Sequence, residues 1–187
     1  MVKINTCIFI SGKGTNLRNL IKKSREYNFP INIKLVISNT KYAKGISFAK
    51  INSIPFVVID TKENNFEIKM LKILEKYKIK LICLAGYMRV LSKRFLNLYG
   101  KKIINIHPSL LPKFKGLNTF SRVIMEKEKK TGCTVHYVDE KLDNGNIILR
   151  KSFFISKKDT QKSIKTKTQK LEYVAFPEAI ISIFRYC

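Results

Sequence analysis

The chain has 187 residues, of which 45% are hydrophobic and 27% charged, a composition typical of one soluble globular domain. No apolar run approaches the ~20 residues of a membrane helix, and no signal peptide is recognisable, so we expect no membrane partner. The four cysteines have no CxxC spacing and there are two histidines, which argues against a zinc site or a disulfide framework and for a cytoplasmic protein.

The formal charge of +24 permits two interpretations. A basic chain is typical of nucleic-acid binding, which would gather its cations on one face. Here lysine outnumbers arginine 30 to 7 and is spread through the whole sequence, whereas readers of bases and phosphates favour the arginine fork. The accompanying excess of isoleucine and asparagine indicates A+T-rich codons and a solvated basic surface. We therefore expect small-molecule substrates and no nucleic-acid partner, with a monomer and a homodimer both open.

Apolar runs rich in β-branched residues alternate along the chain with longer mixed segments. The runs predict strands at residues 3–10, 32–38, 55–59, 80–85, 102–106, 133–138 and 146–155. The mixed segments predict helices at residues 15–26, 42–52, 64–78, 92–99, 118–128 and 160–184. Runs such as CIFI and LICLA are apolar throughout, as in a parallel sheet covered on both faces. We predict an α/β fold: a single doubly wound, mostly parallel sheet with helices on both faces and an antiparallel last strand pair, formed by residues 1–187 as one domain.

The first predicted strand runs into the loop SGKGTNL, which opens a helix. Gly12 and Gly14 permit a left-handed backbone and the close approach of amide groups to a ligand, and Thr15 or Asn16 is a candidate helix cap. The free N–H groups at a helix N-terminus suit a phosphate. The loop lacks the glycine spacing of a Walker A motif, and Leu17 stands where a dinucleotide fingerprint has its third glycine. A monophosphate site and ordinary turn chemistry both remain open.

The run IINIHPSLLP carries an amide and an imidazole two residues apart. Asn105 and His107 therefore point the same way from a strand, at the carboxyl end where open α/β sheets bind ligands. Asp143 lies in a later loop, before Gly145, from which its side chain could reach His107. An amide that holds an oxyanion, an imidazole that moves a proton and a carboxylate that orients the ring suit acyl transfer.

On spacing alone, this trio has a second interpretation: a strand-end histidine satisfied by a turn asparagine and a turn aspartate. No serine or cysteine is placed as a nucleophile, so direct transfer between two bound substrates fits better than a covalent enzyme intermediate. His136 alternates with apolar neighbours in TVHYV, and we interpret it as a structural residue.

The block NIHPSLLPKFKG, preceded by LAGYMRVLS and followed by TGCTVHYVDEKLDNGNII, resembles the folate-dependent phosphoribosylglycinamide formyltransferases of purine synthesis. SGKGTNL resembles the phosphate loop of that family and SNTKYAKG its second loop, and the likeness runs nearly end to end. The resemblance implies a formyltransferase-like fold. It also implies direct transfer of a formyl group from 10-formyltetrahydrofolate, a co-substrate, to the amine of glycinamide ribonucleotide through a tetrahedral intermediate, without a metal.

The resemblance also implies roles for individual residues. Asn105 would bind the oxyanion, His107 would donate or carry the proton, and Asp143 would pair with His107. The glycinamide ribonucleotide site would comprise Gly14, Thr15, Asn16, Gly86, Gln169 and Glu172. The folate site would comprise Met88, Arg89, Val90, Leu91, Leu96, Val138, Asp139, Glu140 and Leu142.

Four positions depart from the family pattern. Thr15 stands for a serine and keeps the hydroxyl, and Lys13 stands for an asparagine and adds charge near the phosphate loop. Asn118 and Phe120 stand where two histidines are expected, which leaves the contacts of their predicted helix open.

Several other activities are alternatives to this assignment. A methionyl-tRNA formyltransferase would need a second, tRNA-binding domain, for which 187 residues leave no room. A formyltetrahydrofolate deformylase would carry an extra N-terminal regulatory domain, and a histidine where Pro108 follows His107. A charge-driven nucleic-acid module and a folded but slow homologue of the family also remain open.

Overall fold

A computed structural model of the chain describes residues 2–184. Its strands are β1 Ile4–Ile10, β2 Ile31–Ser38, β3 Phe56–Val58, β4 Leu81–Leu84, β5 Lys102–His107, β6 Lys130–Tyr137 and β7 Ile147–Phe154. Its helices are α1 Thr15–Ser24, α2 Ile46–Ile51, α3 Phe66–Lys76, α4 Lys93–Tyr99, α5 Thr119–Met125 and α6 Gln161–Phe184. Every predicted strand and helix is present, and the ends differ from the prediction by at most four residues.

The largest differences are explained by hydrogen bonds and strand pairing between segments distant in the sequence. The helix predicted from residue 42 begins at Ile46, because the preceding hydrogen bonds are turn-type and Gly45 donates its N–H to the Gly12 carbonyl oxygen at 3.0 Å. The strand predicted from residue 133 begins earlier, because Lys130 pairs with Phe154 at the far end of an antiparallel ladder.

The seven strands form a sheet in the order β3-β2-β1-β4-β5-β6-β7. β1 pairs in parallel with β2 and with β4, and β2 pairs in parallel with β3. β6 and β7 pair antiparallel, as predicted for the last two strands. The direction of winding reverses between β1 and β4, and in open α/β sheets such a reversal marks the edge where ligands bind. The mostly parallel α/β sheet predicted from the sequence is thus confirmed.

The contacts within the chain divide it into two compact units, one ending at Ile104 and the other beginning at Asn105. The expectation that residues 1–187 form a single domain stays a prediction. Within residues 2–184, no helix combines the length and the apolar character needed to cross a membrane.

The core of the first unit lies around β1 and β2. The side chains of Cys7, Ile8, Phe9 and Ile10 on β1 are fully buried, which explains why this strand is apolar without alternation. α1 buries Leu17, Leu20 and Ile21, and this three-to-four-residue spacing gives the helix its single apolar face.

In the second unit, α6 packs against β6 and β7. The helix buries Ile164, Phe176 and Ile180. The β6–β7 pair approaches so closely that a Cβ atom added to Gly132 would lie 1.9 Å from the Lys151 carbonyl oxygen, so glycine is required there. The loop between β6 and β7 therefore joins two strands that are closely paired and packed against α6.

Candidate active site

β5 ends at two of the candidate catalytic side chains. Asn105 and His107 stand two residues apart on this strand, and Pro108, which has no N–H to donate, follows them. His107 is 5% exposed, and Asn105 is half-buried. The strand-end placement predicted from the sequence is present.

Asp143 reaches both side chains from the loop between β6 and β7. Its Oδ2 lies 3.2 Å from His107 Nδ1, and its Oδ1 accepts a hydrogen bond from Asn105 Nδ2 at 3.3 Å. Asp143 has φ +48°, in the left-handed region that aspartate tolerates better than most residues. The loop thus places the buried carboxylate of Asp143 beside the end of β5. The structure brings the three predicted catalytic residues together, with Asp143 as their common contact.

A second histidine belongs to this cluster. His136 on β6 is buried, and its Nε2 lies 3.2 Å from Asn105 Nδ2 and 3.6 Å from Asp143 Oδ1. Its Nδ1 lies 2.8 Å from the Tyr137 carbonyl oxygen. Because a carbonyl oxygen only accepts, Nδ1 is the donor in this contact, and Nε2 faces the Asn105 amide. The alternation in TVHYV predicts a buried position for His136 but does not indicate this polar contact.

Two backbone groups of residues 114–116, called here the 114–116 segment, also contact the side chains of His107 and Asp143. The Phe114 carbonyl oxygen lies 2.8 Å from His107 Nε2, and the Gly116 N–H donates to Asp143 Oδ2 at 2.8 Å. Sequence reasoning did not find these contacts. The glycine in KFKG was the available signal, because a loop glycine often marks a close approach of backbone to a functional group.

Burial and polar contacts act in opposite directions on the pKa values of the pair. Burial lowers the pKa of His107 below its ordinary value, although the Asp143 charge and the Phe114 carbonyl act the other way. For Asp143, burial is the largest influence and acts to raise the pKa. The His136 ring, the Gly116 N–H and His107 together outweigh burial and lower the pKa of Asp143, so the carboxylate is ionised at neutral pH.

The contacts of the His107 ring suit a group that changes its protonation state. Both ring nitrogens face acceptors, the Asp143 carboxylate at Nδ1 and the Phe114 carbonyl at Nε2. A neutral ring can donate to only one of them, so the full set of contacts requires the imidazolium form. Burial disfavours that charge, and the ring is therefore held between two protonation states by opposing effects.

The loop between β1 and α1 has the form of an anion site, but its helix cap differs from the prediction. Gly14 is the N-cap residue of α1, with φ +70°, and no side-chain cap hydrogen bond is made. The prediction that Thr15 or Asn16 caps the helix is wrong, since these are the first two helical residues. A left-handed glycine, which has no side-chain oxygen, occupies the N-cap position at the positive end of the helix dipole.

The shape of this loop depends on a close contact between two glycines. A Cβ atom on Gly14 would lie 2.4 Å from Gly45 Cα, and one on Gly45 would lie 2.9 Å from Gly14 Cα. By contrast, a Cβ atom on Gly12 would meet nothing within 4 Å. The second loop, SNTKYAKG, therefore supports the first with backbone atoms alone at this point.

The loop after β4 is joined to the same region of the first unit. Ser11 donates its N–H to the Gly86 carbonyl oxygen at 3.1 Å, and Met88 donates its N–H to Ser11 Oγ at 2.8 Å. Gly86 has φ +78°, which accounts for glycine at this turn. The loops after β1 and β4 thus lie together at the sheet's reversal point, where predicted substrate and folate residues stand.

The predicted folate residues of the first unit differ in exposure. Met88 and Val90 are 63% and 65% exposed, and Arg89 is also exposed. Leu91 is buried, and Leu96 on α4 is half-buried. The two exposed apolar side chains suit contact with an apolar ligand, whereas the buried position of Leu91 is that of a packing residue.

The predicted folate residues of the second unit lie in the loop after β6. Val138 is half-buried, and Asp139, Glu140 and Leu142 are exposed. Asp139 Oδ1 accepts the Lys141 N–H at 2.9 Å, which shapes the turn. The loop therefore presents both backbone groups and an apolar side chain.

The two predicted substrate residues on α6 share one side of the helix, because they are three residues apart. Gln169 is half-buried, and Glu172 is 9% exposed. Burial and then the Glu172 carboxylate raise the pKa of Cys133 to about 12, so Glu172 faces β6. Among the residues described, no group of three or more His, Cys, Asp or Glu side chains is arranged to hold a metal ion.

The two positions that lack the expected histidines have structural roles here. Phe120 packs against a buried cluster of Phe114, Val123 and Ile164. Asn118 is the N-cap residue of α5, with φ +57° and no side-chain cap hydrogen bond. The N-terminal part of this helix is thus fixed by apolar packing.

Comparisons with known proteins place the chain in a family. A family model described as Formyl transferase matches residues 4–180. The chain is 39% identical over 177 residues to the phosphoribosylglycinamide formyltransferase of Haemophilus influenzae, covering 92% of this chain and 84% of that protein. The crystal structure of phosphoribosylglycinamide formyltransferase from Bacillus halodurans matches with a TM-score of 0.93 at 34% identity, covering 97% of this chain and 96% of that chain.

Longer proteins also contain a similar region. The chain is 39% identical over 182 residues to the trifunctional purine biosynthetic protein adenosine-3 of Gallus gallus. This alignment covers 95% of the chain but only 18% of that protein. The match over residues 4–180 shows that the chain is a formyl transferase. More closely, the chain belongs to the phosphoribosylglycinamide formyltransferase family.

Proposed function

We propose that the chain transfers a formyl group from 10-formyltetrahydrofolate, as co-substrate, to the amine of glycinamide ribonucleotide, without a metal. The observation that carries this proposal is the cluster in which Asp143 contacts both Asn105 and His107 at the end of β5. Membership of the family supports the same activity. The further activities of the trifunctional relatives lie outside this proposal, since the chain spans 18% of the Gallus gallus protein.

The transfer needs no covalent intermediate with the protein. The substrate amine attacks the formyl carbon, a C–N bond forms, and the carbonyl electrons move to oxygen to give a tetrahedral oxyanion. Collapse of this intermediate breaks the bond to N10 of the folate. The amine loses one proton and N10 gains one, so the reaction is balanced. His107 would carry this proton, and the ionised Asp143 would stabilise its imidazolium form.

The proposed role of Asn105 requires a change of partner. Both of its amide hydrogens have acceptors within the protein, Asp143 Oδ1 and His136 Nε2. To donate to the oxyanion, the amide must release one of them. The 3.3 Å contact with Asp143 is the longer of the two, so His136 would keep the amide in place while the other N–H turns to the substrate oxygen.

The remaining contacts of glycinamide ribonucleotide are assigned by residue. Its phosphate would lie at the N-terminus of α1, against Gly14, Thr15 and Asn16, because this end has no side-chain cap and carries the positive end of the helix dipole. Gly86 would lie near the reacting groups. Gln169 and Glu172 would hold the ribose or the glycinamide end through side-chain hydrogen bonds.

The folate would be held by apolar and backbone contacts. The exposed side chains of Met88 and Val90 suit the flat pterin ring, with Arg89, Leu91 and Leu96 around them. Backbone groups of residues 138–142, which include Val138, Asp139, Glu140 and Leu142, would read the hydrogen-bonding edge of the ring. We further propose that the chain folds as one domain. It would be present in the cytoplasm as a monomer or a homodimer.

The direct test is to incubate the purified protein with both substrates and to measure two products, formylated glycinamide ribonucleotide and tetrahydrofolate. We expect them in equal amounts. Loss of the formyl group to water, with no formylated product, would instead indicate a deformylase. Tight binding of RNA or DNA with a steep salt dependence and no turnover would favour the nucleic-acid alternative.

A further inference from the structure

The 114–116 segment holds both members of the catalytic pair with backbone groups in an unfavourable conformation. Phe114 has φ +59° and Gly116 has φ +77°, both in the left-handed region. For phenylalanine this conformation persists only where the surroundings hold it. Rotation of these peptide groups would move an acceptor away from His107 and a donor away from Asp143. Contacts with other residues must therefore stabilise the left-handed conformation of the segment.

Arg122 on α5 contacts this segment twice. Its Nη1 donates to the Lys115 carbonyl oxygen at 2.7 Å, and its Cζ lies 5.4 Å from the centre of the Phe114 ring. The planar guanidinium can make both contacts at once, as a directed donor and as a cation over a ring face. Arg122 is half-buried, so water competes only in part for these contacts.

Arg122 contacts the segment next to the two backbone groups that meet His107 and Asp143. The Lys115 carbonyl belongs to the same peptide group as the Gly116 N–H, which meets Asp143, and the preceding peptide group carries the Phe114 carbonyl, which meets His107. Two further side-chain hydrogen bonds involve the segment, and in one of them Thr119 Oγ1 donates to the Gly116 carbonyl oxygen at 3.3 Å. In the other, Lys115 Nζ donates to Asn144 Oδ1 at 2.8 Å, which joins two side chains but does not fix the peptide plane.

We propose that Arg122 is a positioning residue for formyl transfer, which fixes the peptide groups of the 114–116 segment so that they hold His107 and Asp143 in the reactive arrangement. This inference rests on the proposed function. Arg122 acts through backbone groups and not on the substrate, so its loss should reduce turnover more than substrate binding.

The charge of Arg122 has a second, smaller consequence. Burial is the largest influence on the pKa of His107 and lowers it, Asp143 and the Phe114 carbonyl act to raise it, and the charge of Arg122 acts in the same direction as burial. Removing the Arg122 charge should therefore let the pKa of His107 rise. A role in packing alone would not produce this change.

The first experiment compares kcat, KM and the pH dependence of kcat for the unaltered protein, Arg122→Met and Arg122→Lys. We expect Arg122→Met to reduce kcat about 10-fold or more and to leave KM for glycinamide ribonucleotide within about 2-fold. The acid limb of its pH profile should move to higher pH. Arg122→Lys retains the charge, so its acid limb should stay in place, with kcat between the other two.

Arg150→Met is the matched control. Arg150 also donates to a backbone carbonyl oxygen of the same unit, from Nη2 to Leu111 at 2.5 Å. This hydrogen bond lies outside the 114–116 segment. We expect its kcat to stay within about 2-fold of the unaltered protein. An equal loss of kcat in Arg122→Met and Arg150→Met would overturn the inference.

A second readout does not depend on activity. Amide hydrogen exchange at Gly116, followed by NMR, reports directly on the bond to Asp143. We expect exchange at Gly116 to be at least about 10-fold faster in Arg122→Met than in Arg150→Met. Equal exchange would overturn the positioning role even if no formyl transfer were detected, whereas absence of transfer in the unaltered protein would overturn the proposed function alone.

Discussion

The second unit fixes its polar cluster with side chains that share protons and charge, whereas the first unit shapes the loop between β1 and α1 with glycine backbone. Asp143 is held by His107, Asn105 and the Gly116 N–H, and each of these contacts changes if a proton moves. Gly14 and Gly45 meet through Cα atoms, which have nothing to ionise.

This difference predicts different consequences of mutation in the two regions. A change in the cluster should alter the chemical step while the backbone persists, because its members act through protons and charge. A change at the paired glycines should alter the shape of the loop, and with it ligand affinity, while the chemical step persists at saturating substrate. The predictions below test that separation in order of expected effect.

Asp143→Asn should produce the largest loss of turnover. The substitution keeps the shape of the side chain but removes the charge that supports the His107 imidazolium, so we expect kcat to fall by about 10³-fold, within the range found for acid–base groups. KM for glycinamide ribonucleotide should change little. Steady-state kinetics and the thermal unfolding midpoint measure both effects.

Asp159→Asn is the control for this prediction. Asp159 is also a hydrogen-bonded carboxylate of the second unit, with contacts to Lys167 and Ser163 that hold its pKa at about 2. It lies at the start of α6, away from the proposed roles. We expect turnover within about 2-fold of the unaltered protein, and a comparable loss in both variants would count against a special role of Asp143.

Asn105→Ala should come next, with kcat lower by about 10²–10³-fold, the usual effect of losing one oxyanion donor. The variant also leaves His136 Nε2 without its amide donor, so a modest loss of stability of about 1 kcal/mol should accompany it. Kinetics and urea unfolding separate the two effects. Turnover close to that of the unaltered protein would remove Asn105 from the mechanism.

Gly45→Ala should weaken binding rather than chemistry. Its Cβ atom would lie 2.8 Å from Ile10 Cδ1 and 2.9 Å from Gly14 Cα, so the loop must shift. We expect KM for glycinamide ribonucleotide to rise about 10-fold and stability to fall by about 1–3 kcal/mol. Comparison with an alanine at a glycine of the loop between β1 and α1 that lies outside this contact tests whether the close contact is responsible.

Gly12→Ala is that comparison, because its Cβ atom would meet nothing within 4 Å. A smaller rise in KM and almost no loss of stability are expected. If both glycine variants behaved alike, the contact between Gly14 and Gly45 would not be what shapes the loop.

The smallest expected effect concerns stability and pH. The pKa of His107 is lowered on folding by burial, so as pH falls through about 6.5 the unfolded chain binds a proton before the folded chain does. His107 therefore contributes a loss of stability between that pH and its lower folded pKa. His107→Gln should show a flatter dependence of the free energy of unfolding on pH between about 7.5 and 5.5.

The lowered pKa of Asp143 does not interfere in this range. Its stabilising contribution is complete above the ordinary value of 3.8 and is lost only as pH falls below it towards the folded pKa. Urea unfolding at several pH values measures the comparison. A steeper pH dependence in His107→Gln than in the unaltered protein would contradict the assigned direction.

The sequence predicted most of the fold because hydrophobic pattern determines which segments become strands and helices. It failed where backbone groups from distant segments meet. The helix predicted from residue 42 begins later because the Gly45 N–H bonds to Gly12, and the predicted cap at Thr15 or Asn16 is replaced by Gly14. Neither contact has a signal in local composition.

In the candidate site, too, local sequence pattern predicted the positions of side chains but not the contacts between distant segments. Strand periodicity placed Asn105 and His107 on one side, and a loop position made Asp143 a possible partner. The contact of His136 with Asn105 depends on which strands face each other. The contact of the Phe114 carbonyl with His107 depends on a left-handed backbone, which no side-chain pattern encodes. The roles of these residues in the reaction stay predictions.

Single-turnover formyl transfer, with the protein in excess over 10-formyltetrahydrofolate and with glycinamide ribonucleotide at a saturating concentration, separates the chemical step from substrate binding. We expect Asp143→Asn to slow this single turnover by about 10³-fold, and the rate of Gly45→Ala to stay within about 3-fold of that of the unaltered protein. Equal slowing in both variants, or an undiminished rate in Asp143→Asn, would contradict the claim that a proton-sharing cluster around Asp143 carries out the transfer.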